Sequence, residues 1–158
     1  MEAVALRYQW DKLNTQQVGA YAEYYVKMEF TMYGFQVYTT EVDDRGIDFV
    51  CRHGTGPFLT IQVKSVRGLN YVFLPKHKFE LNPTLFLSLV IFTQGQAPDL
   101  FLIPSEHWRT PDAVFVSRDY ENRKSAPEWG VNLAVKNLPE LEQFRFEEQV
   151  LPLMPEIQ

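Results

Sequence analysis

One cysteine, Cys51, stands in a chain of 158 residues, and a lone thiol cannot close an internal disulfide. With the scattered His53, His77 and His107 it makes no zinc-ligand spacing, so a reduced, zinc-free protein is expected. Long apolar runs are missing as well. Nothing approaches the roughly 18 consecutive apolar residues of a membrane span. The opening "MEAVALRYQWDK" carries charges where a secretory signal would place its apolar segment. No membrane association and a cytoplasmic location are therefore expected. There is no internal repeat, low-complexity tract or Ser/Gly linker, which leaves residues 1–158 as one domain. A basic excess is also absent. The net charge of -5 argues against a protein that coats nucleic acid nonspecifically, because such proteins neutralise phosphates with surplus Lys and Arg.

Apolar residues make up 46% of the chain, enough for one domain with a real core. The stretch "IQVKSVRGLNYVFLPKHKF", Ile61 to Phe79, holds Lys64, Arg67, Lys76 and Lys78 and no acid, so the rest of the chain is more acidic than the whole. Ordinary solvated charges explain that cluster as readily as a phosphate-binding surface.

The periodicity predicts a helix over Thr15 to Tyr33, with Val18, Ala22, Tyr25, Met28 and Met32 as its apolar face, Asn14 or Thr15 as its cap and Gly34 as its end. A short strand, Phe35 to Thr39, leads into the acidic loop "TEVDDRG". Ile47 to Arg52 and Phe58 to Ser65 read as strands joined by the glycine-rich turn "HGTGP", hence an antiparallel hairpin. Tyr71 to Leu74 is a short extended run, and Pro75 opens a brief helix through Phe79. "LFLSLVIF", Leu85 to Phe92, is apolar throughout as a strand covered on both faces would be, and "DLFLIP" returns beside it. A helix over Pro139 to Val150 is expected to pack on the outside. The order of elements implies a mixed α/β fold.

Within these strands sit groups that are costly to bury unpaired. Asp48 opens one run in "RGIDFV", and Gln62 and Lys64 alternate through "TIQVKS". At a period of two, Gln62 and Lys64 share one side of their strand while Val63 faces the other way. Glu23 lies on the preceding helix. In this order "AEYY", "RGIDFV" and "IQVKS" resemble the motifs of the PD-(D/E)XK nuclease superfamily: a helix-borne acid, a metal-binding aspartate and a (D/E/Q)xK signature. The likeness covers roughly Gln17 to Ile103, and its nearest look is the restriction-endonuclease-like group, Holliday-junction-resolvase-like proteins included, in the QxK variant.

The resemblance implies an α/β restriction-endonuclease-like core over about residues 15–103, a mixed central β-sheet flanked by helices, with a C-terminal elaboration over 104–158. It implies a Mg²⁺-dependent endonuclease acting on DNA, with Mn²⁺ as a possible substitute. Asp48 would bind the metal directly, Gln62 through its amide oxygen and Val63 through its backbone carbonyl. Glu23 would bind through water or close the site. Lys64 would orient or deprotonate the attacking water, or stabilise developing charge. Gln62 departs from the acidic form of the signature and brings one negative charge fewer, which Glu23, Glu41, Asp43 or Asp44 would have to offset.

Each residue also has a plain explanation when taken singly. Asp48 can be a strand-end residue, Lys64 a snorkelling lysine, and Glu23 a solvated helix residue. Asp43, Asp44 and Gly46 lack the ligand spacing and terminal glutamate of a calcium loop. Arg67, Lys76 and Lys78 are candidates for phosphate contacts beside the site, and Tyr71 and Phe73 either stack on bases or join the core. Trp10, Trp108 and Trp129 read as packing anchors. Two functions stay open: an endonuclease, or a degenerate nuclease-fold module that binds nucleic acid or a protein without cutting. A homodimer or larger homo-oligomer is expected, since cutting both strands of a duplex needs two sites. Phe101, Trp108, Phe115, Trp129 and Phe144 form its contact or else complete the core.

Overall fold

A computed structural model describes residues 6–42 and 46–155. Asp43 and Asp44, named above as compensating acids, lie outside the described residues. Helix α1 runs Thr15–Met32 behind a reciprocal cap in which Asn14 Oδ1 accepts from Gln17 N–H and Gln17 Oε1 accepts from Asn14 N–H. Gly34, at φ +90°, turns the chain out of the helix. The buried face of α1 is Val18, Ala22, Val26 and Phe30. The predicted face therefore needs correction. Met28 and Met32 stand outside, 59% and 81% exposed, because strict four-residue steps from Val18 carry the contact through Val26 and Phe30.

Strands β1 (Gln36–Thr39), β2 (Phe49–Arg52), β3 (Leu59–Arg67), β5 (Leu85–Phe92) and β6 (Asp99–Pro104) form a five-stranded mixed sheet in that order. The β2–β3 pair is the expected antiparallel hairpin, with Phe49 opposite Ile61. β3 runs two residues beyond the predicted Ser65 because it pairs in parallel with β5 from Thr60 to Arg67. All eight residues of β5 are buried. One layer, beneath α1, takes Phe49, Cys51, Leu59, Ile61, Phe86 and Val90 from the sheet. The other takes Leu85, Leu87, Leu89 and Ile91 from β5 and Phe101 and Ile103 from β6.

The second layer is closed by a small sheet. Strand β4 (Val72–Pro75), the predicted Tyr71–Leu74 run, leaves the main sheet and pairs with β8 (Glu128–Val131), which pairs with β7 (Phe115–Arg118). A 3₁₀ turn, Lys76–Lys78, follows β4 where the brief helix was expected. The last third is thus woven into the fold. Trp108, Phe115, Phe144 and Phe101 are buried, so for these four the core explanation prevails over a dimer contact. Trp10 is buried too, and Trp129 is half-buried with the Lys76 ammonium 4.0 Å from its ring centroid.

The single tail helix is a further correction. Residues 138–149 break into α2 (Leu138–Leu141), a 3₁₀ turn (Glu142–Phe144) and α3 (Phe146–Gln149), interrupted by extended Arg145. Arg145 forms an antiparallel bridge with Phe101, and its guanidinium binds Asp99 Oδ1 at 2.8 Å. This break turns the tail round the β6 edge. Leu141 and Phe144 enter the second layer, whereas Phe146, Val150 and Met154 enter the α1 layer. Burial pushes the Cys51 thiol up to about 12, so it stays protonated and unreactive in the folded protein. Phe146→Ala is expected to cost ~3–5 kcal/mol in denaturant unfolding and to speed thiol labelling of Cys51 under native conditions. Unchanged stability and labelling would show that the tail is dispensable to the α1 layer.

Candidate active site

Strands β2 and β3 separate at Asp48. Its N–H still donates to Ile61 O at 2.9 Å, but the next ladder position is filled by a side chain: Asp48 Oδ2 accepts from Val63 N–H at 2.6 Å. A carboxylate thus stands where a backbone carbonyl would continue the pairing. The N–H and C=O of a residue in an antiparallel pair lie on the same edge, so the Val63 carbonyl opens toward the gap that Asp48 borders.

The even-numbered residues of β3 lie on the face opposite α1, since Leu59, Ile61 and Val63 pack in the α1 layer and Val66 packs in the second. Gln62 and Lys64 therefore share that second face, beside Leu87 and Leu89 of β5. Gln62 is only 6% exposed, and its buried Oε1 accepts no hydrogen bond among the described residues. Lys64 is half-buried, with no ion pair or hydrogen bond among them. Gly46, at φ +75°, crosses close to Gln62. A Cβ there would sit 3.1 Å from Lys78 O and 3.5 Å from Gln62 Oε1, so a glycine lets the chain close over the amide.

Glu23 approaches from the helix side. It belongs to α1, on the other face of the sheet, and binds Lys27 Nζ at 3.0 Å one helical turn on. Lys27 also lies 5.8 Å from the Phe49 ring centroid, which brings this ion pair to the chain neighbour of Asp48. Among the described residues no three His, Cys, Asp or Glu side chains converge as metal ligands.

The candidate phosphate contacts divide. Arg67 Nη1 donates to the Trp10 and Leu13 carbonyls at 3.1 and 2.6 Å, tying the segment before α1 to the end of β3. Lys76 Nζ binds Ser117 Oγ and Asp119 Oδ1, each at 2.7 Å. Both spend their donors inside the protein, and Lys78 is exposed. Phe73 is exposed on the small sheet, while half-buried Tyr71 donates its hydroxyl to Glu128 Oε2 at 2.6 Å. Burial, first of all, and that hydrogen bond raise the tyrosine's pKa.

Sequence reasoning missed a cavity of about 440 Å³ next to Gln62, lined by Ile47, Thr60, His77, Lys78, Glu80, Asn82 and Leu85. The basic "KHK" triplet was its one visible signal, and only the 3₁₀ turn folds that triplet over Thr60. A buried acceptor without a partner is a standing cost of about 1–3 kcal/mol. Gln62→Leu is therefore expected to leave the protein equally stable or to stabilise it in chemical unfolding. A loss of more than 1 kcal/mol would show that the amide has a structural partner.

No family model matches the chain, and no curated protein is significantly similar to it. Among solved structures the chain is similar to the 1.6 Å structure of Archaeoglobus fulgidus Hjc, a Holliday junction resolvase from an archaeal hyperthermophile. The likeness has a TM-score of 0.46 and 14% sequence identity, and covers 72% of this chain and 83% of that one.

Proposed function

We propose that the chain is a divalent-metal-dependent DNA endonuclease whose active site lies where β2 and β3 part. One observation carries this reading: two neighbouring same-face groups of β3, the buried Gln62 Oε1 and the half-buried Lys64 ammonium, have no hydrogen-bond or ion-pair partner among the described residues, and both lie beside the Asp48 carboxylate. A structural site would have satisfied them, because unpaired buried polar groups are costly. A site that receives a ligand keeps such valences open.

The donor chemistry suits Mg²⁺ or Mn²⁺. The Asp48 carboxylate, the Gln62 amide oxygen and the Val63 carbonyl are hard oxygen donors, and the orphaned Gln62 Oε1 is the acceptor that a cation would satisfy. Such an ion, when bound, would neutralise phosphate charge and acidify a coordinated water. The chain's own residues do the rest. Asp48 is fixed by the Val63 N–H through its Oδ2. Lys64 Nζ, held two residues from Gln62, donates hydrogen bonds to the attacking water or to the phosphate oxygen where charge develops. Lys78, exposed at the rim of the neighbouring cavity, is the phosphate contact we retain from the sequence. Arg67 and Lys76 are positioning residues for the fold.

Severing both strands of a duplex calls for two such sites, which a homodimer supplies. The reading as a non-cutting module is favoured by one specific observation: Asp48 is the only carboxylate placed against Gln62 and Val63 among the described residues, and one of its oxygens is already engaged.

Duplex plasmid, four-way junction, single-stranded DNA and RNA incubated with Mg²⁺ or Mn²⁺ separate these readings. Wild-type protein is expected to cut DNA, and Asp48→Asn and Lys64→Ala to lower the rate by about 10²–10⁴-fold without changing the thermal melt. No cleavage by clean wild-type protein, with DNA binding retained in Asp48→Asn, would establish the binding module instead. Lys78→Ala is expected to weaken DNA binding and to lower the salt slope by about 1, whereas Arg67→Ala lowers stability. An unaltered salt slope in Lys78→Ala would remove Lys78 from the interface.

A further inference from the structure

The two edges of the main sheet are treated differently. The β6 edge is closed by the Arg145 bridge and the tail that follows it. The β1 edge, outermost at the other side, is paired only with β2 among the described residues. Its sequence, Gln-Val-Tyr-Thr, holds no lysine, acid or proline, the devices that usually keep an edge from pairing with another chain.

Apolar groups flank this edge on both faces. On the α1 side a groove of about 640 Å³ is lined by Tyr24, Lys27, Met28, Thr31, Met32 and Val37, bringing helix and edge strand into one continuous patch. Tyr24, Met28 and Met32 follow each other at four-residue steps and are all more than half exposed. On the opposite face Tyr38, 49% exposed, lies with its ring 6.1 Å from that of exposed Phe58. Aromatic side chains each offer roughly 150–250 Å². Tyr24, Tyr38 and Phe58 are about half exposed and offer about half of that each; the two exposed methionines and the backbone edge bring the patch toward the ~800 Å² per partner of a standard interface.

We infer that this edge is a self-association surface: β1 of a second copy pairs with it antiparallel across a two-fold axis perpendicular to the sheet. An open edge accepts an extended strand. A second copy brings such a strand with matching apolar groups on both sides, and isologous pairing consumes the edge in a closed dimer. Both α1 helices then lie on the same face, so the Tyr24, Met28 and Met32 stripes meet above the junction. Register is restricted to pairings that keep face with face, centred on Val37 or on Tyr38, because a one-residue slip would set Val37 against the wrong side. The inference refines the two-fold reading given above and uses none of its site chemistry.

Light scattering of the full chain at micromolar concentration is expected to give the mass of two chains. Met28→Lys/Met32→Lys and, separately, Tyr38→Lys are expected to give the mass of one, with the circular dichroism spectrum and thermal melt of a folded protein. All three positions are exposed and lie outside the proposed active site. Strand nicking by the monomeric variants therefore reports on the nuclease reading separately from the mass. A wild-type monomer, open-ended larger species, or folded variants that stay dimeric would each overturn the inference.

Discussion

The complete burial of β5 is the constraint from which the architecture follows. Eight consecutive buried residues leave a strand with no solvent face, and each side of the sheet then needs its own apolar cover. The α1 face is covered by the Val18, Ala22, Val26 and Phe30 stripe of the helix together with Trp10 and the tail residues Phe146, Val150 and Met154. The other face is covered by β4, β7 and β8, a sheet assembled from two distant parts of the chain. That second cover is centred on β5 and β6 and takes only Val66 from β3 among the described residues. The polar side of β3 is left at the margin, neither in the layer nor fully outside it. Lys64 owes its half-buried setting to this incomplete cover, whereas Gln62 is buried.

The same geometry explains how an acid, an amide and an ammonium coexist there. Asp48 is anchored to the sheet by the Val63 backbone N–H, a charge-assisted hydrogen bond to its Oδ2. Lys64 makes no hydrogen bond or ion pair among the described residues. Gly46 closes over Gln62 from one side and the Lys76–Lys78 turn stands beside it, which removes the amide oxygen from water without giving it a donor among the described residues.

Much of this was legible in the sequence wherever local pattern decides structure. The unbroken apolar run of β5, the glycine-rich turn between β2 and β3, the Asn14 cap and the Gly34 stop each report on their own neighbourhood, and each stands where the pattern placed it. The period-two placement of Gln62 and Lys64 on one face was legible for the same reason. What the pattern could not supply was long-range. Tyr25, Met28 and Met32 fit a helical stripe as well as Val26 and Phe30 do, and only the sheet beneath α1 decides between them. The union of β4 with β8 depends on residues more than fifty positions apart, and the inward donors of Arg67 and Lys76 depend on carbonyls and carboxylates that have no mark in their own neighbourhood. The break at Arg145 is legible only once β6 is known to need an edge partner.

That break has a bearing on how the protein is made. Phe146, Val150 and Met154 belong to the same layer as Trp10 and Val18, so the hydrophobic centre beneath α1 joins the two ends of the described chain. During synthesis, α1 and the β2–β3 hairpin emerge early, yet their shared layer stays open until Met154 has cleared the ribosome. Contacts of such sequence separation form late and slowly. The apolar stripe of α1 and the sheet face beneath it therefore lack part of their cover until the tail has been made.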